Sequence, residues 1–460
     1  MTGTHETSPT DLNLLLSSRE IHFDHYGGPK LPYACTGARG IEMNLVGTAE
    51  DNLGQPHTAI DASGGYGTAC LGAGHPEMVR ALRRAVQEVG YSTDEMASLE
   101  RARLLHTLFG PGGIWTDRFP TGQYRVSGRN SGSEGMELAV RLVLESRFDR
   151  RRLRHHPGRE HRDTVLAFEG AWHGWTDGLV PLLNRRHYQV GLPARATSGD
   201  YDVRVQHIPF GDHDAIQEYF ADNAERLLAV VIEPVQGDAG ILVPPPDYLR
   251  AVSRLCADSD VLLVADEVLT FAKTGQFFAM TDQHGPIPTD ITVIGKNLGM
   301  GVVPASMVIT RADLGTRSSG AVATSDLRPI TCAVLNDGLT HLRTTGILEH
   351  TAALGQHLNQ TLHDQLVTQF PDIYRENRGL GVIHGLELQE RAARKLPELR
   401  EKILRAGVYV EFMAGAGRRT RGLRYLHPTM RIAPPAITTT AQADTIVERI
   451  ATGTRAFQES

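Results

Sequence analysis

Lys296 closes the apolar run ITVIG and opens the glycine-rich stretch NLGMG. The chain holds only four other lysines, Lys30, Lys273, Lys395 and Lys402, and otherwise uses arginine for positive charge. Burial at a strand end disfavours the ammonium form, and a neutral amine is a nucleophile toward aldehydes. The plainer role is a lysine whose stem lies on apolar surface with its head in water. Asp266 closes a second apolar run, VLLVA. A carboxylate there needs a partner, which an arginine, a loop N–H or a protonated ring nitrogen could supply. Ser131-Gly132-Ser133 falls between a strand pattern and a helix pattern. Free N–H groups at a helix start, with two hydroxyls, attract an anion; the same residues with Glu134 also read as a helix cap. Trp172-His173-Gly174 follows DTVLAFEGA, where an indole could stack on a flat ligand or fill the core. Taken together, the four sites describe one ligand with a phosphate, a planar ring, a ring nitrogen and an aldehyde. That ligand is pyridoxal phosphate.

Such groups meet only if the strands that carry them end on one edge. QYRVSG, DTVLAFEG, LLAVVIEPV, VLLVADEV and ITVIGK read as short strands, with SEGMELAVRLVLESR and DYLRAVSRLCADS as helices among them. Strands alternating with helices predict an α/β fold, a mostly parallel sheet flanked by helices. Ligands of such sheets sit at the carboxyl ends of the strands. Apolar Met78, Val79, Leu82, Val86 and Val89 are spaced for a helix over 75–90. Residues 1–75 read as an irregular N-terminal segment with short strands at IEMNLVG and HTAIDAS, packing with the C-terminal unit. Residues 76–330 form the large domain. Residues 331–460 read as a smaller α+β domain, with helices near 331–345 and 440–457.

Bulk properties narrow the function. Of 460 residues, 41% are apolar and 22% charged, with a net charge of -6, so nothing suggests a nucleic-acid footprint. The basic run at 147–162 reads as a solvated helix end and loop. Four scattered cysteines, Cys35, Cys70, Cys256 and Cys332, form no CxxC pair, which predicts neither a metal site nor a disulfide framework and fits a reducing cytoplasm. No apolar run approaches the roughly 20 residues needed to span a bilayer. Neither a Walker loop nor a GxGxxG after a strand is present.

Along nearly its whole length the sequence resembles the class III, ornithine/GABA-type aminotransferases of pyridoxal-phosphate (PLP) fold type I. LGAGHPEMVRAL, NSGSEGMELAVRL, GAWHGW, VIEPVQGDAGILVPPPDYL, LLVADEV, DITVIGKNLGMG, TSDLRP and MRIAPP stand in the family's order. The resemblance implies a Schiff-base role for Lys296 and an Asp266 that keeps the pyridine nitrogen protonated, so that the ring draws electrons. It places Val268 on one ring face and Trp172, beside His173, on the other. Ser131, Gly132 and Ser133 would hold the phosphate with Thr324 of a second subunit, which implies a homodimer with shared sites. Arg431 would bind a substrate carboxylate in a bidentate pair. Asp238 stands where the ornithine and GABA enzymes carry a glutamate that pairs with this arginine, one methylene longer. Tyr66, Trp175 and the partner's residues 325–327 are candidates for the pocket wall.

Several positions depart from the family pattern. The chain reads DEVLTFAKTG, one residue short, with Leu269 in place of a glutamine and Lys273 in place of an arginine. It has one extra residue before Pro304, and Arg328 where asparagine is usual. The expected activity is amino transfer from an amino acid, glutamate first, to a carbonyl acceptor in two half-reactions. The alternative within the family is an isomerase, an aminomutase or racemase. A non-catalytic scaffold is a third reading, disfavoured by the retained Lys296 and Asp266.

Overall fold

The computed structural model describes residues 7–23, 30–93, 95–149, 154–184, 203–314, 323–413, 415 and 428–460. Its first element is the helix Pro9–Ile21, capped by Ser8, whose hydroxyl accepts from the Asp11 N–H at 3.1 Å. Three antiparallel strands follow: β1 (Tyr33–Arg39), β2 (Glu42–Gly47) and β3 (Pro56–Asp61).

The central sheet has seven strands: β4 (Tyr124–Arg129), β5 (Thr164–Phe168), β6 (Arg204–Ile208), β7 (Leu227–Ile232), β8 (Leu262–Asp266), β9 (Ile291–Ile294) and β10 (Ser306–Arg311). Their order is β4-β10-β9-β8-β7-β5-β6. The five from β9 to β6 are parallel, and β10 runs antiparallel to both β9 and β4. Every residue of β5, β7, β8 and β9 is buried, as expected of a sheet covered on both faces. The helix Gly132–Glu145 packs Met136, Ala139 and Leu142 against Val231, Val264 and Val293 on one face. On the other face, Ile216, Tyr248 and Val252 pack against Phe168, Val230 and Leu263.

The C-terminal part adds β11 (Tyr374–Leu380), β12 (Ile383–Leu388), β13 (Val408–Tyr409), β14 (Glu411–Met413) and β15 (Thr429–Ile432). Four of these form an antiparallel sheet in the order β11-β12-β15-β14. β13 pairs in parallel with β3 instead, and Ile41 and Ile60 share a core with Leu386, Met430 and Ile446. The helices Ile347–Leu362 and Thr440–Gln458 contribute to that core.

Two sequence expectations change. Residues 1–75 hold the two expected strands, IEMNLVG in β2 and HTAIDAS in β3, and are more regular than expected because a helix and a third strand, β1, accompany them. The helix at 75–90 is α-helical over Pro76–Arg84 and then widens into a π-turn over Ala85–Val89, which shifts the helical phase. Its buried stripe is Met78, Ala81 and Ala85, with Leu82 and Val89 partly buried against the same core, while Val79 and Val86 are exposed.

Candidate active site

Parallel pairing puts the carboxyl ends of β5, β7, β8 and β9 on one edge. Asp266 is the last residue of β8 and sits opposite Val293 of β9. Two residues past β9, Lys296 opens a short turn, Lys296–Gly299, with φ +45°, a left-handed conformation uncommon outside glycine. Lys296 and Asp266 line one cavity of about 350 Å³ together with Gly132, Ser133, Trp172 and Arg431. His173, Val268, Leu269, Asp238, Tyr66 and Glu233 line it too. The strand-end survey thus collected residues that the fold brings together.

Asp266 is 4% exposed and fully engaged from the protein side. One oxygen pairs with His173 Nδ1 at 2.8 Å, and the other accepts from the Val268 N–H at 3.1 Å. Burial alone would lower the His173 pKa; the hydrogen bond and charge of Asp266, with Glu233 nearby, outweigh it and raise the pKa. His173 Nε2 is buried without a hydrogen-bond partner.

Burial pushes the Lys296 amine down to about 8, and Arg431 adds to the effect; Asp266, Glu233 and Glu411 oppose it. A second buried lysine, Lys273, is held well below its usual range by burial and by Lys296, and its Nζ donates to the Leu269 carbonyl at 2.8 Å. Two lysines so close in an apolar setting favour the neutral amine form.

At the end of β4, Ser131 caps the helix Gly132–Glu145 in a reciprocal box: its hydroxyl accepts from the Glu134 N–H, and Glu134 accepts from the Ser131 N–H at 2.8 Å. Ser131 faces an adjoining cavity of about 420 Å³, which also reaches Lys296 and Pro304. Gly132 and Ser133 begin the helix in the main cavity, where unpaired N–H groups and the helix dipole favour an anion. A methyl at Gly132 would lie 2.6 Å from Val268 Cγ1, so only glycine lets this turn approach the wall. Ser133 Oγ accepts from the Trp175 N–H at 3.2 Å, and Trp172 meets Trp175 edge-on at 4.4 Å.

Arg431, on β15, is 3% exposed and lies 5.2 Å over the Tyr66 ring. The carboxylate it meets is Glu411, directly across β14–β15; Asp238 lines the cavity without being its ion-pair partner. Thr324 does not line the main cavity of its own chain; its segment is anchored by Asp326, which accepts from the Gly128 N–H and the Ser127 hydroxyl.

Sequence reasoning missed two groups. Glu233, just past β7, accepts from the Trp172 N–H at 2.8 Å and from the Gly237 N–H at 3.2 Å, and burial pushes its pKa up to about 7. The strand-end rule that found Asp266 reaches Glu233 as well. Glu411 carried no signal, because its importance lies only in its cross-strand neighbour.

A seven-stranded, largely parallel sheet with an amine, a buried acid and a helix start along one edge defines a PLP-binding enzyme of fold type I. The fold matches the crystal structure of ornithine aminotransferase from Toxoplasma gondii ME49, with a TM-score of 0.78 and 21% identity over 97% of this chain and 96% of that one. It matches acetylornithine aminotransferase from Elizabethkingia anophelis with a TM-score of 0.74, 21% identity, and 97% and 99% coverage. Ornithine aminotransferase from Bordetella pertussis is 29% identical over 417 residues, covering 88% of each chain. That of Staphylococcus carnosus is 28% identical over 437 residues, covering 93% of this chain and 96% of its own. Residues 50–453 match the family described as aminotransferase class-III, and the chain belongs to that family. It is a PLP-dependent aminotransferase.

The residues present fit PLP. The cavity offers a depressed amine, a buried acid backed by a raised histidine, apolar walls in Val268 and Trp172, and a helix start cleared by glycine. Among the described residues no group of three His, Cys, Asp or Glu could hold a metal ion, and no helix is long and apolar enough to cross a membrane.

Proposed function

We propose that the chain moves an amino group from an amino acid, glutamate foremost, to a carbonyl acceptor, with Lys296 and Asp266 as the catalytic pair. The observation that carries this reading is that both side chains line one cavity with Arg431. PLP bound there supplies an electrophilic aldehyde carbon and an electron-withdrawing ring.

The protein's own residues do the rest. Asp266, held by His173 and the Val268 N–H, keeps a proton on the ring nitrogen. Val268 and Trp172 exclude water from the ring faces. Gly132 and Ser133 anchor the phosphate, with Ser131 fixing the helix start they belong to. Lys296, whose pKa is lowered to about 8, takes in its neutral form the proton from the substrate carbon that bears the amine. Arg431 orients the donor through its carboxylate, and Tyr66 and Trp175 flank the entrance. Arg431 in the cavity supports transfer over an aminomutase reaction and does not discriminate against a racemase.

The same reading makes the working unit a homodimer in the cytoplasm, in which Thr324 reaches the partner's phosphate. It divides the chain at about residues 75 and 330. The pairing of β3 with β13 supports grouping the N-terminal segment with the small domain. The test is a half-reaction screen: holoenzyme is mixed with L-glutamate and other amines, and the cofactor absorbance is followed. Loss of the aldehyde-form band with glutamate is expected; a band unmoved by every amino acid would overturn the donor assignment.

A further inference from the structure

The ion pair behind Arg431 has a construction that bears on which substrates the site admits. Glu411 and Arg431 face each other across adjacent antiparallel strands. They are 2% and 3% exposed. Arg431 reaches the cavity; Glu411 does not line it. The carboxylate therefore sits behind the guanidinium, held by strand register rather than carried on a loop that can swing aside. The pair is electrically neutral, and one polar atom of each member, Glu411 Oε1 and Arg431 Nε, is buried without a partner.

A substrate carboxylate that docks on Arg431 brings a second negative charge to one buried guanidinium. An uncompensated charge in such a place is costly, and Glu411, 2% exposed, has little water to stabilise it. We propose that Glu411 is the specificity-determining partner of Arg431, and that a ligand carboxylate binds Arg431 only together with one proton on Glu411. This rests on Arg431 being the carboxylate receptor of the proposed aminotransferase reaction.

The surroundings agree. Among the described residues, the charged and titratable groups near Glu411 are Arg431 on β15, Asp61 at the end of β3, Tyr409 on β13 and Lys296 beyond β9. Burial raises the Glu411 pKa, and Asp61 adds to this; Arg431 and Lys296 oppose it. A proton on Oε1 leaves Oε2 free to accept from Arg431, so the strand pairing survives protonation. Two substrate classes then part by pH. Amines with a carboxylate beside the reacting carbon are favoured as pH falls. Amines without one bind with no proton uptake and gain relative standing as pH rises.

The test is titration calorimetry of holoenzyme with glutarate, an unreactive dicarboxylate, in buffers of different ionisation enthalpy. In wild type, binding is expected to take up close to one proton, and affinity to fall about tenfold per pH unit above the Glu411 titration. Glu411→Gln, with Glu411→Met as a second neutral replacement, is expected to abolish the uptake and flatten the slope. Glutarate should then bind about tenfold or more tightly at alkaline pH. Wild-type binding through Arg431 without proton uptake, or with the slope of Glu411→Gln, would overturn the proposal and leave the aminotransferase reading standing. Failure of both wild type and Glu411→Gln to bind would also overturn it. If Arg431→Ala binds glutarate as tightly as wild type, the carboxylate-receptor assignment itself falls, and the proposal with it.

Discussion

Two buried acids, Asp266 in the cavity wall and Glu411 behind it, have opposite designs. Asp266 stands at the carboxyl end of a parallel strand, and its basic neighbour His173 comes from the loop after β5, with β7 lying between the two strands. Glu411 stands on a three-residue antiparallel strand, and its partner is the residue directly across. Histidine can give up its charge; arginine cannot. The cofactor side therefore rests on Asp266, held by a partner of adjustable charge, His173, and by the Val268 N–H. The substrate side rests on a permanent cation whose acid must adjust instead.

Breaking each side should separate their roles. Lys296→Ala removes the amine common to both and is expected to lower kcat roughly 10²–10⁴-fold, read in single-turnover measurements with added cofactor. Unchanged turnover would end the assignment. Arg431→Ala removes the receptor of the donor carboxylate, and truncating one member of a buried charge pair costs on the order of 2–5 kcal/mol. That should appear as lost kcat/KM for glutamate, with cofactor affinity nearly unchanged. Equal damage to cofactor binding would mean the two sides are not separable.

His173→Ala should do the converse. Losing a hydrogen bond to a charged group costs about 1.5–3 kcal/mol, so cofactor affinity by equilibrium dialysis should drop while Arg431-dependent glutarate binding persists. The smallest effect concerns pH. Lys296 is lowered to about 8, and only its neutral form attacks an aldehyde. Cofactor capture by the cofactor-free protein should therefore slow about tenfold per pH unit below that value and level off above it. A flat profile from pH 6 to 9 would place the Lys296 pKa elsewhere.

The same contrast explains what could be read from the sequence. β8 and β9 are almost wholly apolar runs that end at or just before a polar residue, so both the strand and its functional end were legible in LLVADE and ITVIGK, whereas β7 was legible as a strand and Glu233 just past it was passed over. The Ser131 cap was legible because a capping box is local in sequence. Arg431 became legible through its resemblance to a family motif. Its partner was not, since residues 20 apart in sequence meet only through strand register. The antiparallel β10 and the edge strand β6, which is exposed along part of its length, also escaped. So did the π-turn at Ala85–Val89, because its phase shift depends on packing rather than on residue type.

Val268 has one further consequence. A methyl at Gly132 would lie 2.6 Å, and one at Gly295 3.3 Å, from its Cγ1, so this branched side chain sits in a slot between the ends of β4 and β9. Its backbone N–H is tied to Asp266. A valine has few rotamers to begin with, and this one has already given up its freedom before any ring arrives. The wall against the cofactor thus contributes little ordering entropy on association. A larger glycine replacement on either side would act chiefly by making the wall choose a new position.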